Sequence, residues 1–175
     1  VYVKLGFRTT IIDTHSNCEA LFLKITSDVA KFYLLTAYRP PNNSDPLLIP
    51  SLFDEINNLI NIKNDHLVIC GDFNFPKINW TTMNATGNYS LCSPFLHKVL
   101  ELSLEQHVFS PTHRLGNILD LVLSNKAIID QLEVFDPSIS DHGMILFKLN
   151  LSNFSITVNQ EFKVYQYGKA DLGKA

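Results

Sequence analysis

Asp72 and Asn74 stand one residue apart, just after the apolar run Leu67-Val68-Ile69-Cys70 and its break at Gly71. In an extended chain, residues i and i+2 point to the same side. A carboxylate and an amide leaving a strand end together present a small polar site. The alternative is a plain turn, which both residues favour. Asp120 is the second residue of interest, because it lies inside Ile118-Leu119-Asp120-Leu121-Val122-Leu123. A carboxylate buried there without a partner costs several kcal/mol. It either has a cationic or donor partner or faces solvent on an edge strand. The third feature is Ser140-Asp141-His142, between a loop and the last strand. His142 adjoins a carboxylate and starts a strand, which sets it above His15, His66, His97 and His107. Carboxylates brought together repel, which favours a divalent metal or a protonated partner. Oxygen ligands without paired Cys or His point to magnesium or manganese rather than zinc.

Several elements must carry these residues. Val1, Val3, Leu5 and Phe7 alternate as in a strand. Cys18 to Thr26 and Lys31 to Tyr38 read as two more strands, joined by a tight connection at Ser27 to Ala30, and the three suggest an antiparallel meander. Arg39-Pro40-Pro41 ends the third strand, since proline cannot join a ladder. A helix follows, with Ser51 as its cap and Leu52, Phe53, Ile56, Leu59 and Ile60 as its apolar stripe. Met83 to Ser90 reads as an exposed polar loop. Ser93 caps a second helix with Pro94 in its first turn, and Leu96, Val99, Leu100 and Ser103 share one face. A turn at Ser110 to Arg114 precedes strands at Ile118 to Leu123, Leu132 to Phe135 and Met144 to Leu149, with Asp136 to Ser140 as a loop. Strands interleaved with two helices indicate an α/β layered sandwich.

Composition sets the bounds. The 175 residues suit one domain, and an apolar content of 46% is enough for a real core. No apolar run approaches the roughly 20 residues of a membrane span. Three widely spaced cysteines, Cys18, Cys70 and Cys92, make a disulfide framework or zinc site the weaker expectation and suit a reduced, intracellular setting. A net charge of −3 is no footprint of a high-affinity nucleic-acid binder. A local positive field or a bound metal can still serve an enzyme that acts on one.

Tyr38-Arg39-Pro40-Pro41, Gly71-Asp72-Phe73-Asn74, Pro111-Thr112, Leu119-Asp120-Leu121-Val122 and Ser140-Asp141-His142 occur in that order between Val1 and Leu149. The set resembles the endonuclease/exonuclease/phosphatase superfamily and, within it, the apurinic-type endonuclease domain of non-LTR (LINE-type) retrotransposons. The resemblance implies an α/β fold: a two-sheet β-sandwich flanked by helices, four-layered and DNase I-like, here lacking the first strands. Residues 1–150 would form this partial domain and residues 151–175 a C-terminal tail or linker.

The resemblance also implies metal-dependent phosphodiester hydrolysis and DNA nicking. Asp72 would orient and deprotonate the attacking water, and Asn74 would position it and the phosphate. His142 would contact the scissile phosphate, with Asp120 holding it as imidazolium. Asp141 would be a metal-side carboxylate for Mg2+ or Mn2+, and Tyr38 would donate to a phosphate oxygen. Thr112 and Ser140 would be secondary phosphate contacts. Arg39 and Arg114 flank the site and would meet the DNA backbone, or are ordinary solvated charge. The family's earlier Asn and metal-binding Glu have no match here, and Glu19 does not fit that motif. The chain is therefore expected to be a fragment lacking the usual Glu ligand. The alternatives are a phosphatase or phospholipid phosphodiesterase of the same superfamily, and a non-enzymatic truncated relic. The implied partners are DNA and a reverse transcriptase in the same polyprotein, with no membrane. The implied location is intracellular, and nuclear when part of an active element.

Overall fold

The computed structural model describes residues 1–3, 5–86, 89–137 and 140–150. Its elements are β1 (Arg8–Ile12), β2 (Glu19–Thr26), β3 (Lys31–Tyr38), α1 (Leu48–Leu59), β4 (Leu67–Asp72), β5 (Ile78–Asn79), β6 (Asn84–Ala85), α2 (Tyr89–Glu101), β7 (Glu105–Gln106), β8 (Asp120–Ser124), β9 (Ile129–Phe135) and β10 (Met144–Leu149). A six-stranded sheet runs β1-β2-β3-β4-β8-β7, and separate two-stranded sheets pair β9 with β10 and β5 with β6. β1, β2 and β3 form the expected antiparallel meander. β3 and β4 are parallel, with α1 as the crossover between them. β8 returns antiparallel beside β4.

Strand alternation divides the core in two. On one face Phe22, Tyr33, Leu35, Leu67, Ile69, Leu121 and Leu123 meet the apolar sides of α1 and α2. On the other, Leu23, Ile25, Phe32, Val68 and Val122 meet Leu132, Val134, Ile145 and Phe147 of the β9–β10 hairpin. The architecture is a mixed α/β sandwich of two sheets with helices alongside, as expected. No helix among the described residues is long and apolar enough to cross a membrane. Cys18, Cys70 and Cys92 are free thiols. The tail expected at residues 151–175 lies outside the described residues.

Several boundaries differ from the sequence expectations. The first strand is Arg8–Ile12 rather than Val1 to Phe7. Gly6 takes φ +101° and turns the chain, and pairing with β2 starts only at Arg8. α1 begins at Leu48, so Ser51 is not its cap. The chain enters α1 through Asp45, whose Oδ1 accepts a hydrogen bond from the Leu47 N–H at 2.8 Å, and Pro50 falls in the first turn, where it loses no helical bond. Its buried stripe is Ile49, Leu52, Phe53 and Ile56, while Leu59 is exposed. The stretch read as an exposed loop holds β6, where Ala85 is buried. α2 begins at Tyr89, so Pro94 sits inside the helix and Ser93 does not cap it. Burial of Cys92, Phe95, Leu96 and Val99 offsets the lost backbone bond, and Leu100 is exposed.

Candidate active site

The C-terminal ends of β3 and β4 and the N-terminal end of β8 meet at one end of the large sheet. Register pairs Glu19 with Tyr38, Tyr38 with Asp72, and Asp72 with Asp120. The four residues form a row across β2, β3, β4 and β8 on the hairpin side. β3 and β4 can run this close together because position 71 is glycine. Gly71 has φ +149°, and a Cβ there would fall 1.9 Å from the Ala37 carbonyl oxygen.

The turn forms at Asp72 and Asn74, and it is this turn rather than extended backbone that brings the two side chains together. Asn74 adopts a left-handed conformation, φ +51°, rather than extended backbone. Its N–H donates to Asp72 Oδ1 at 3.2 Å, closing an Asx turn. Its side-chain Nδ2 donates to Asp72 Oδ2 at 2.8 Å and to the Arg39 carbonyl at 2.9 Å. Phe73 and Phe75, on either side of Asn74, stack on Phe95 in the helix-side core, with ring centroids 5.4 and 4.6 Å away. The aromatic anchors point inward and leave the two polar side chains at the surface.

His142 completes the constellation. Its Nδ1 lies 2.7 Å from Asp120 Oδ2, and its Nε2 faces Asp72 Oδ2 at 4.0 Å. Asp120 therefore has the partner its apolar surroundings require. Burial works against a charged imidazole, but the Asp120 hydrogen bond and the charges of Asp120, Asp72 and Asp141 outweigh it, so the pKa of His142 is raised. Burial, then the charge of Asp120, raises the pKa of Asp72, against the opposing effects of His142 and Asn74. Asp141 is exposed, and hydrogen bonding to its own backbone, then to His113, lowers its pKa. One ligand atom each from Asp72, Asp120 and His142 lies within 4.8 Å of the others, and so does one each from His113, Asp141 and His142. Either set can hold a metal ion. A cleft of about 370 Å³ opens over the site, lined by Tyr38, Asp72, Asn74, His113, Asp141 and His142 among others.

The remaining expected residues divide. Ser140 is exposed, and its hydroxyl donates to the His142 carbonyl at 2.9 Å, which shapes the loop. Arg114 is exposed beside it, with Nη2 3.0 Å from the Ser140 carbonyl. Two expectations are corrected. Thr112, read as a phosphate contact, is fully buried, and its Oγ1 accepts hydrogen bonds from the Leu119 and Asp120 N–H groups at 3.0 Å each. It positions Asp120. Arg39, read as facing DNA, is 1% exposed. Its Nη1 donates to the Asn74 carbonyl at 3.1 Å, its Nη2 donates to the Asn43 carbonyl, and its guanidinium lies 4.4 Å over the Phe75 ring. Arg39 and Asn74 thus exchange hydrogen bonds, and the arginine holds the Asp72–Asn74 turn from within.

Sequence reading missed one cleft residue. His113 was taken only as part of a turn, yet it lines the cleft. Glu19, left unassigned, pairs with Tyr38 in the ladder but is not among the residues that line the cleft.

The profile of the endonuclease-reverse transcriptase family matches residues 32–146. The chain belongs to that family. All five motifs quoted above lie inside the matched span. Among solved structures, the chain is similar to the endonuclease domain of TRAS1, a telomere-specific non-LTR retrotransposon, with a TM-score of 0.59, 15% identity and coverage of 84% of this chain and 80% of that one. The 3′ phosphatase NExo from Neisseria, bound to a product DNA hairpin, gives a TM-score of 0.54 at 12% identity, over 83% of this chain and 80% of that one. The catalytic domain of human Nocturnin gives 0.53 at 13% identity, over 81% and 61%. At these identities the likeness establishes the DNase I-like fold of endonuclease/exonuclease/phosphatase hydrolases. No curated protein sequence matches the chain.

Proposed function

We propose that this chain is the endonuclease domain of a non-LTR retroelement polyprotein and hydrolyses DNA phosphodiester bonds with a divalent metal. The observation that carries the reading is the relay Asp120–His142–Asp72 at the cleft, with contacts of 2.7 and 4.0 Å. Asp120 holds the imidazole through Nδ1 and favours its charged form, which turns a cationic Nε2–H toward the cleft. That group donates to a non-bridging phosphate oxygen and stabilises charge that builds during attack. Asp72 takes the proton of the attacking water. Its raised pKa brings it nearer the range where a general base works well. Asn74 orients Asp72 through the 2.8 Å hydrogen bond, a role distinct from the direct water contact first expected of it. Tyr38 lines the cleft and would donate to a phosphate oxygen, and the exposed Arg114 would offer a charge to the DNA backbone.

The donor set fits a hard cation. Magnesium binds through one or two carboxylates plus water and substrate phosphate. Asp141 lines the cleft and would supply one such carboxylate. When bound, the ion neutralises charge on the phosphate and its leaving oxygen. A reverse transcriptase in the same polyprotein and a nuclear site of action accompany this reading.

The test is nicking of supercoiled plasmid by the purified chain with Mg2+. Nicking that Asp72→Ala abolishes is the expected result. Undiminished nicking by Asp72→Ala overturns the assignment of the base. Release of inorganic phosphate from inositol phosphates without any nicking overturns the DNA reading in favour of a phosphatase.

A further inference from the structure

The two loops that frame the cleft are stapled together. His113 and His142 form an isolated antiparallel bridge. Gly143 N–H donates to the Thr112 carbonyl at 2.7 Å, and Arg114 N–H donates to the Asp141 carbonyl at 2.9 Å. The staple holds the two imidazoles edge to face, with centroids 5.0 Å apart and planes at 75°. His113 Nε2 lies 3.5 Å from Asp141 Oδ2. Two ligands of one small tetrahedral ion, each about 2.1 Å from it, stand about 3.4 Å apart. This pair therefore already has the required separation, and one atom of His142 lies within 4.8 Å of both. Asp120 occupies His142 Nδ1 and leaves Nε2 as the ligating nitrogen. That is the carboxylate–histidine–metal arrangement by which outer groups orient an imidazole ligand.

We infer that His113, Asp141 and His142 form a binding site for a transition-metal cation of the zinc class, which shares Asp141 with the hard-cation donor set and His142 with the relay. Two nitrogens and one oxygen suit Zn2+ or Co2+ better than Mg2+, and the cleft leaves further coordination positions open. In the ion-free protein, Leu115 N–H donates to His113 Nδ1 at 3.2 Å, so the ring proton sits on Nε2 and faces Asp141. The ion takes that place. The proton moves to Nδ1 at the expense of one long hydrogen bond, and His142 Nε2 gives its own proton to solvent. The same Nε2 faces Asp72, so the bound ion competes with any phosphate for it. The inference does not rest on nuclease activity, because binding is read without cleavage.

The test is titration of the tag-free chain with Co2+ alone, followed by visible absorption. Co2+ held by two imidazoles and a carboxylate at low coordination number absorbs far more strongly than the octahedral aqua ion. One equivalent of Co2+ with such bands, displaced by Zn2+, is the expected result. His113→Gln should weaken binding by at least about 10-fold while keeping a cooperative thermal transition. Asp72→Asn should leave the bands in place. If His113→Gln fails to fold, Asp141→Asn carries the same expectation of weakened binding. Binding unchanged by both His113→Gln and Asp141→Asn, or bands lost in Asp72→Asn, overturns the site, as does the absence of stoichiometric binding.

Discussion

Asp72 and Asp120 are direct partners across the antiparallel β4–β8 ladder, two carboxylates side by side at the strand ends inside the large sheet. Like charges directly opposite in a sheet destabilise it. Burial and the charge of Asp120 both raise the pKa of Asp72, so the folded state disfavours its ionised form. The linkage is the reverse of an ordinary ion-paired carboxylate: stability falls as pH rises from 3.8 through the higher folded pKa. Asp72→Asn, which removes that charge, should raise the Tm at neutral pH by roughly 1–3 °C while nicking is lost. The gain should vanish in acid. A lower Tm for the variant at neutral pH would show that the site stores no such strain.

His142 gives the opposite sign. Its folded pKa is raised above 6.5 by Asp120, against the cost of burial, with help from Asp72 and Asp141. Its stabilising contribution is therefore complete below about 6.5 and is lost as pH rises through the folded value. The Tm difference between the chain and His142→Gln, measured with chelator from acid to alkaline pH, should favour the parent chain at low pH. It should shrink on the alkaline side. A gap independent of pH would refute the assignment of His142 as imidazolium.

Thr112 tests how Asp120 is aimed. Its hydroxyl oxygen accepts from the Leu119 and Asp120 N–H groups inside the protein. Thr112→Val keeps the shape and strands both donors, at a cost of about 2–4 kcal/mol in urea unfolding. Thr112→Ser keeps the oxygen and should recover most of that loss. Equal stability of the valine and serine variants would remove Thr112 from this role.

Arg39 and Arg114 separate by salt dependence. Arg114 is exposed, and Arg114→Ala should lower the slope of log affinity against log salt for DNA by about 1. Arg39 is enclosed by carbonyls and the Phe75 ring, so Arg39→Lys should leave that slope unchanged and lower the Tm instead. A slope change in Arg39→Lys would place its charge on the DNA after all.

Sequence by itself determined most of the strands and singled out the candidate site groups. Strands β2, β3, β4 and β10 were legible because period-2 alternation or a short apolar run is a local property. Asp120 announced that it needs a partner, because an unpaired carboxylate in an apolar run is too costly. The helix starts were not legible. Pro50 costs nothing in the first turn of α1, and Pro94 is tolerated in the body of α2 because buried neighbours outweigh a local preference. Only the tertiary structure decided which polar residues face the cleft. Thr112 and Arg39 look like surface residues in sequence and are buried, Thr112 because its hydroxyl caps the Leu119 and Asp120 N–H groups across a turn, and Arg39 because the Asn74 carbonyl and the Phe75 ring, over thirty positions on, enclose its guanidinium. His113 looked like a turn residue until the bridge to His142 brought it beside Asp141. Burial and long-range hydrogen bonding belong to the folded chain, and no window of sequence contains them.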